Sequence, residues 1–425
     1  MNRFLRLLYS FAVYLTTPVI LLYLAWRGLR HPEYFRRWRE RLGYATITPP
    51  PGGILVHAVS MGEVNGVSPL VRQLMAQWPQ RAITFTSVTP TGSARIISSF
   101  GDQVHHCYLP IDLPGAVSRL YQQVQPALVV VMETEIWPNL FLGAASRGIP
   151  LVLVNARLSR RSASGYRRFL PQAALALGAV TQIAAQTAHD ARRFVAAGAD
   201  PERVTVCGNL KGDIQLSPQL PRYAADLRSR WGERRPVWLA ASTHEGEDEC
   251  LLSVHQQLLQ QADDSLLILV PRHPERFVRV AQLAEAAGLR TARHSSPSDL
   301  DEQTQVLVVD AMGVLLNYAA AADVIFVGGS LAPLGGHNPL EPAALAKPVI
   351  MGPHNDNISD LVELLERRGG ARIVDDCDAL QATITQLMAQ PALRQTMGQN
   401  ALAVVDEQRG AVARTLRRIE LALMD

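Results

Sequence analysis

The side chains that can do chemistry sit in a few short stretches. In His57-Ala58-Val59-Ser60-Met61-Gly62-Glu63, an apolar run ends and an amphipathic one begins, which sets Glu63 at the start of a helix. A carboxylate there can accept a proton from a hydroxyl group, or can simply compensate the helix end. Met132-Glu133-Thr134-Glu135-Ile136-Trp137 places two acids and a tryptophan after an all-apolar run, an odd choice for a plain turn. Arg157, Arg160, Arg161, Arg167 and Arg168 follow within a dozen residues. They read either as a site for phosphate or carboxylate groups or as a solvated basic face. Gly208-Asn209-Leu210-Lys211-Gly212-Asp213 offers Lys211 to an anion, and Pro271-Arg272 offers a guanidinium at another strand end.

The densest local signal is Gly328-Gly329-Ser330, followed by Gly335-Gly336-His337-Asn338-Pro339-Leu340-Glu341. Asn338 suits an N-cap, Pro339 the first helical position and Glu341 the capping-box position. The glycines ahead of that helix suggest backbone N–H groups left for a phosphate, and Glu341 can instead accept hydrogen bonds from ribose hydroxyls. GxGxxG after the first strand and GxxxxGK[ST] are both missing from the sequence, which argues against a dehydrogenase and a P-loop NTPase.

Short apolar runs alternating with amphipathic segments must position these loops. Strands are expected over 54–60, 82–89, 126–133 and 150–156, and again over 237–242, 266–272, 306–310, 324–330 and 348–352. Helices are expected over 67–78, 92–100 and around 139–148. Strands without clean alternation, separated by helices, imply parallel βαβ units with both sheet faces covered. A chain of 425 residues suits two such domains. The expected organisation is an N-terminal domain over 49–214, a polar linker over 215–235 and a C-terminal domain over 236–425. Ligands would bind in a cleft between two doubly wound halves.

The first 48 residues differ. Leu7 to Trp26 carries no charge, and about 20 residues make roughly 30 Å of helix, enough to cross a bilayer core. Arg3 and Arg6 precede the run, and Arg27, Arg30, Arg36, Arg37, Arg39 and Arg41 follow it. That excess puts the main body on the cytoplasmic side. Leu24-Ala25-Trp26-Arg27 is a poor signal-peptide cleavage site, whereas Pro18 permits a helix lying in the interface. The net charge of +3 is too small to imply nucleic acid. Cys107, Cys207, Cys250 and Cys377 lie far apart, so they read as small buried hydrophobes rather than disulfides or zinc ligands. His105 and His106 stand without a second ligand pair, and no metal is expected.

Taken in order, HAVSMGE, TSVTPTG, LPIDLPGAV, METEIWPN, NARLSRRS, GNLKGD, ASTHEGEDE, PRHPERF and FVGGSLAPLGGHNPLEPA resemble the bacterial 3-deoxy-D-manno-octulosonic acid (Kdo) transferases. The likeness runs from about residue 4 to the 360s. It implies an α/β GT-B fold of two Rossmann-like domains with an N-terminal membrane anchor, at the bacterial inner membrane. It also implies transfer of Kdo from CMP-Kdo to a lipid A precursor with inversion, and no cofactor beyond that co-substrate. By the same resemblance Glu63 matches the general base, and Glu133 and Lys211 match positions that stabilise the transition state. Pro271, Arg272, Met312, Gly313, Val314, Asn338, Pro339, Leu340 and Glu341 match the CMP-binding segments. The family pattern has an acid where Val314 stands, which leaves backbone contacts at that position. Arg157, Arg160 and Arg161 are the candidates for acceptor phosphates. Two alternatives stay open: another GT-B enzyme using a UDP-sugar, such as a UDP-GlcNAc epimerase or a lipid disaccharide synthase, and a membrane-tethered protein that only binds phosphorylated lipid. Stabilisation by CMP or UDP separates the first, and Glu63→Gln, which a mere binder would not feel, separates the second.

Overall fold

A computed structural model describes residues 2–30, 32–158, 170–214, 216–296, 301–356 and 358–424. The chain divides into two units, Met1–Asp213 with Gln408–Asp425, and Ile214–Glu407.

In the first unit, β1 (Ile54–His57), β2 (Ile83–Ser87), β3 (His105–Tyr108), β4 (Leu128–Met132), β5 (Leu151–Ala156), β6 (Gln182–Ala185) and β7 (Val204–Val206) form one parallel sheet. Its order is β3-β2-β1-β4-β5-β6-β7. Direction reverses beside β1, which pairs with β2 on one edge and β4 on the other, so the loops after β1 and β4 diverge around a crevice. Alternate strand residues feed opposite faces. Ile54 and Val56 join a core with α2 (Met61–Gln77) and α3 (Pro90–Phe100), while Leu55 joins another with α4 (Pro114–Val124) and α5 (Pro138–Ala145). Both faces are covered, which is why the strands read as unbroken apolar runs. Sequence patterning missed β3, β6 and β7; β3 and β7 are the sheet edges, where the demand for apolar residues on both faces relaxes, and β6 is only four residues long.

The second unit repeats the plan with β8 (Val237–Thr243), β9 (Leu266–Pro271), β10 (Thr291–Arg293), β11 (Val306–Val308), β12 (Val324–Val327), β13 (Val349–Met351) and β14 (Ala371–Ile373). The order is β10-β11-β9-β8-β12-β13-β14, again all parallel, with the reversal at β8.

Three expectations are corrected. The segment expected as a linker contains the helix Leu220–Trp231, and Leu227 and Trp231 are buried in the second unit's core. The chain end does not stay with the second unit. The helix Ala411–Met424 packs Ala411, Val412, Ile419 and Ala422 into the first unit's core, and the Asp213 carboxylate accepts N–H bonds from Gly410 (3.2 Å) and Val412 (2.8 Å). Sequence reasoning assigned no element to this stretch and placed it with the C-terminal domain. Finally, Cys250 and Cys377 form a disulfide with Cα atoms 5.8 Å apart, while Cys107 and Cys207 are buried thiols. A separation of 127 residues conceals that the helices Asp248–Leu259 and Cys377–Ala389 lie side by side.

Ile419 is fully buried in the first unit. Ile419→Ala is expected to lower its stability by about 2–5 kcal/mol in urea denaturation. A loss under about 0.5 kcal/mol, the range of surface substitutions, would contradict the placement of the chain end.

Candidate active site

Glu63 stands in the first turn of α2, three residues after the N-cap Ser60. Its Oε2 accepts the Val59 N–H at 2.8 Å and its Oε1 the Ser60 hydroxyl at 3.2 Å. The carboxyl's pKa is raised to about 7, first by burial and further by the nearby charges of Glu133 and Glu135, against the Val59 and Ser60 hydrogen bonds that favour the ion. Glu133 follows β4 directly, with φ at +57°, in left-handed backbone that a glutamate adopts only where its surroundings impose it. The Glu133 N–H donates to the Val154 carbonyl at 2.9 Å, which holds the residue in that conformation. Lys211 Nζ reaches Glu133 Oε1 at 3.0 Å. Glu135 is also pushed above its usual range by burial, and its Oε2 accepts the Trp137 indole N–H at 3.0 Å.

Lys211 lies in the short turn Leu210–Gly212, whose Leu210 N–H donates to Asn155 Oδ1 at 2.9 Å and whose Lys211 N–H donates to Asn209 Oδ1 at 3.0 Å. The lysine stem crosses α2 at Gly66. A Cβ there would stand 2.9 Å from Met132 Cε and 3.0 Å from Lys211 Cε, so a glycine is needed to let the ammonium through. Three carboxylates and one ammonium thus converge where the sheet order reverses. Glu63, Glu133 and Lys211, drawn from distant parts of the sequence, are brought together. The backbone of Arg157 lies next to the Glu133 turn, its carbonyl accepting the Thr134 hydroxyl. Arg160, Arg161, Arg167 and Arg168 lie outside the described residues.

In the second unit, Pro271 ends β9, and the Arg272 N–H donates to the Thr243 carbonyl at 3.1 Å. Glu341 is raised above its usual range by burial, against the opposing pull of the Arg272 guanidinium. Asn338 Oδ1 accepts the Leu340 N–H at 3.1 Å, and the helix Leu340–Ala344 starts one residue later than expected, with Pro339 as its N-cap. Gly313 has φ +83° and Val314 caps the helix Leu315–Ala321, which packs on Leu340–Ala344. Met312 is exposed. All the expected donor-side segments therefore lie at one end of the second sheet.

The expectation that the glycine-rich loop leaves its N–H groups to a ligand phosphate is corrected. The carboxylate of Glu247, fully buried, takes that place. It accepts N–H bonds from His244 (2.9 Å), Gly329 (2.9 Å), Ser330 (3.1 Å), Leu331 (3.1 Å) and Ala332 (3.3 Å). A Cβ on Gly328 would come within 2.8 Å of that carboxylate. The loop instead presents side chains. His244 Nε2 and His337 Nε2 are 2.7 Å apart, and His273 packs edge-on against His244 at 5.2 Å between ring centres. Burial first, then His244, Arg272 and His273, push His337 down to about 4, and burial lowers His244 as well, so one neutral ring donates its Nε2–H to the other. Sequence reasoning assigned no role to Glu247, His244 or His337. The run Thr243-His244-Glu245-Gly246-Glu247-Asp248, with acids opening a helix, carried the only signal, and helix-end charge explains it equally well.

Two doubly wound parallel sheets, each with charged groups gathered at its reversal point, define the GT-B class of fold. Residues 36–214 match the family described as 3-deoxy-D-manno-octulosonic-acid transferase (kdotransferase). The whole chain is 41% identical over 414 residues to the 3-deoxy-D-manno-octulosonic acid transferase of Haemophilus influenzae, covering 97% of both. It is 37% identical to that of Bordetella pertussis, over 98% of this chain and 99% of the other. A UDP-GlcNAc 2-epimerase from Neisseria meningitidis shares the fold, with TM-score 0.56 at 13% identity over 88% of this chain and 99% of the other. The chain belongs to the Kdo transferase family.

Two stability measurements follow. The folded pKa of Glu63, about 7, lies above its unfolded value of 4.5, so the fold disfavours the charged form. That penalty is absent below about pH 4.5, grows up to pH 7 and is constant beyond. Glu63→Gln is expected to stabilise the first unit by on the order of 1–3 kcal/mol at pH 8 and by little at pH 4.5; equal effects at both would contradict the shift. Glu247→Gln turns an amide N–H₂ toward backbone N–H donors and is expected to cost the second unit about 3 kcal/mol in urea denaturation. Unchanged stability would show that the loop does not depend on the carboxylate.

Proposed function

We propose that this chain transfers Kdo from CMP-Kdo to a hydroxyl of a lipid A precursor, inverting the anomeric centre, with Glu63 as the general base. The observation that carries the reading is the Glu63 carboxyl, held by burial and neighbouring acids at a pKa of about 7. A base of that strength is about half ionised at neutral pH, where its proton affinity suits it to take a hydroxyl proton as it is lost. The acceptor oxygen attacks the anomeric carbon of Kdo, the bond to the phosphate oxygen breaks, CMP leaves with its electron pair and the proton passes to Glu63. Glu133 and Lys211 are assigned to stabilising the charge that develops, with the 3.0 Å ion pair fixing the ammonium in advance.

The donor is assigned to Pro271, Arg272, Met312, Gly313, Val314 and Asn338 to Glu341. Arg272 provides a planar cation for a phosphate or carboxylate, and Glu341 provides an acceptor for ribose hydroxyls. With Glu247 already seated on the loop amides, donor anions are assigned to side chains rather than to that backbone. Neither metal nor organic cofactor is proposed, and CMP-Kdo is a co-substrate. Arg157, Arg160 and Arg161 are assigned to acceptor phosphates. A lipid acceptor calls for a membrane, and the helix from Phe4 to Leu29, with a mean hydropathy of 1.8, provides the means of attachment. The body is placed on the cytoplasmic side of the bacterial inner membrane by the arginines that follow that helix.

Incubation of the purified protein with CMP-Kdo and a tetraacylated lipid A precursor tests the proposal by the mass of the lipid product. The expected result is a gain of one or more Kdo residues, with kcat/KM rising with pH and levelling above about 7. Glu63→Gln is expected to lower kcat by at least about 10²-fold and to abolish that limb. No gain with active donor, or a variant as active as the parent, would overturn the assignment.

A further inference from the structure

The N-terminal helix α1 (Asn2–Arg30) touches the folded body along its length. Near its start, Tyr9 donates its hydroxyl to Asp112 Oδ2 at 3.0 Å, while Ser10 Oγ and Arg6 Nε donate to Asn139 Oδ1 at 3.2 and 3.4 Å. The receiving groups are fixed parts of the first unit. The Asp112 carboxylate takes the N–H groups of Asn139 (2.9 Å) and Leu140 (2.8 Å) at the start of α5, and Asn139 Nδ2 donates to the Asp112 carbonyl at 2.7 Å. The helix packs against α5 and the helix Leu170–Leu177. Further on, Val13, Thr17 and Leu21 are half-buried and Leu24 and Gly28 buried. Gly28 meets the ring of Phe35 so closely that a Cβ would stand 2.6 Å from it.

At 100° per residue these positions, from Arg6 to Gly28, fall on one side of the helix. Phe4, Phe11, Leu15, Leu22 and Leu29 fall on the other side, and all five are exposed. From Arg6 to Gly28 the protein-facing stripe runs about 33 Å along the axis at 1.5 Å per residue, longer than the hydrocarbon core of a bilayer. A helix crossing the membrane beneath a cytoplasmic body could touch that body only at its last turns. Here the first turns carry the hydrogen bonds. Arginines flank both ends, Arg3 and Arg6 before and Arg27 onward after, which suits two ends on one anionic surface and opposes carrying the first pair across.

Resting on the membrane attachment proposed above, we infer that α1 lies in the plane of an anionic phospholipid leaflet, apolar side in the acyl region and opposite side on the protein, and does not span the bilayer. Both of its ends then face the cytoplasm. The arrangement also sets the first unit's α5 and Leu170–Leu177 helices against the membrane, since both flank α1.

Full-length Asn2→Cys, beside the parent, tests this with a membrane-impermeant maleimide applied to spheroplasts and to inverted inner-membrane vesicles. The native cysteines are buried or paired, so the parent sets a low background. The expected result is labelling in inverted vesicles at least tenfold above that in intact spheroplasts. Labelling from outside spheroplasts would overturn the in-plane helix while leaving membrane attachment intact. Recovery of the parent in the soluble fraction after cell breakage would overturn both. Nitroxide labels at Phe4→Cys, Leu15→Cys and Leu29→Cys, within about 40° of one another around the helix, should report equal depth in phosphatidylglycerol-containing vesicles. A maximum at Leu15→Cys, as in a hairpin bent at Pro18, would also overturn it.

Discussion

The arrangement of the first unit turns on gathering three partly buried carboxylates beside the Lys211 ammonium. Burial, with the charge of Glu133 beside it, raises the proton affinity of both Glu63 and Glu135, and Lys211 pairs with Glu133. Such a cluster is unstable if all three acids are charged, so one of them, Glu63, is held near half-protonation at neutral pH. The left-handed backbone at Glu133, the missing side chain at Gly66 and the hydrogen-bonded turn carrying Lys211 all serve to keep these groups in register. Strain and unfavourable charge concentrated in one place suit the proton transfer proposed for Glu63.

The sheets explain why the groups meet. In each unit the strand order reverses at the first strand, β1 or β8, and the loops that diverge there carry the reactive side chains. The second unit solves the charge problem in the opposite sense. There a buried carboxylate, Glu247, binds the loop's own amides, and His244 and His337 stack beside it. Asp112 repeats that device at the start of α5, where one carboxylate both caps a helix and receives Tyr9 from the N-terminal segment.

Most of the strands were legible because strands covered on both faces must be apolar throughout, and that leaves an unmistakable pattern. The reactive loops were legible because polar residues such as Glu133 or Arg272 directly after such runs have no packing reason to be there. Edge strands β3 and β7 were not, since half their surroundings are polar. Equally hidden were the destination of the Ala411–Met424 helix, the pairing of Cys250 with Cys377 and the docking of Tyr9 on Asp112, because each depends on which surfaces meet across more than a hundred residues. Glu247 was missed for a subtler reason: in sequence an acid that opens a helix and one that fills an anion nest look alike.

The central claim is that burial and the neighbouring acids set the proton affinity of Glu63. Its carboxyl carbon can be followed through a pH titration by NMR with labelled glutamate, using Glu63→Gln to assign the signal and Glu133→Gln to remove the nearest like charge. The account predicts a midpoint near 7 in the parent and a lower one in Glu133→Gln. A parent midpoint near 4.5, or one that ignores the loss of Glu133, would contradict it.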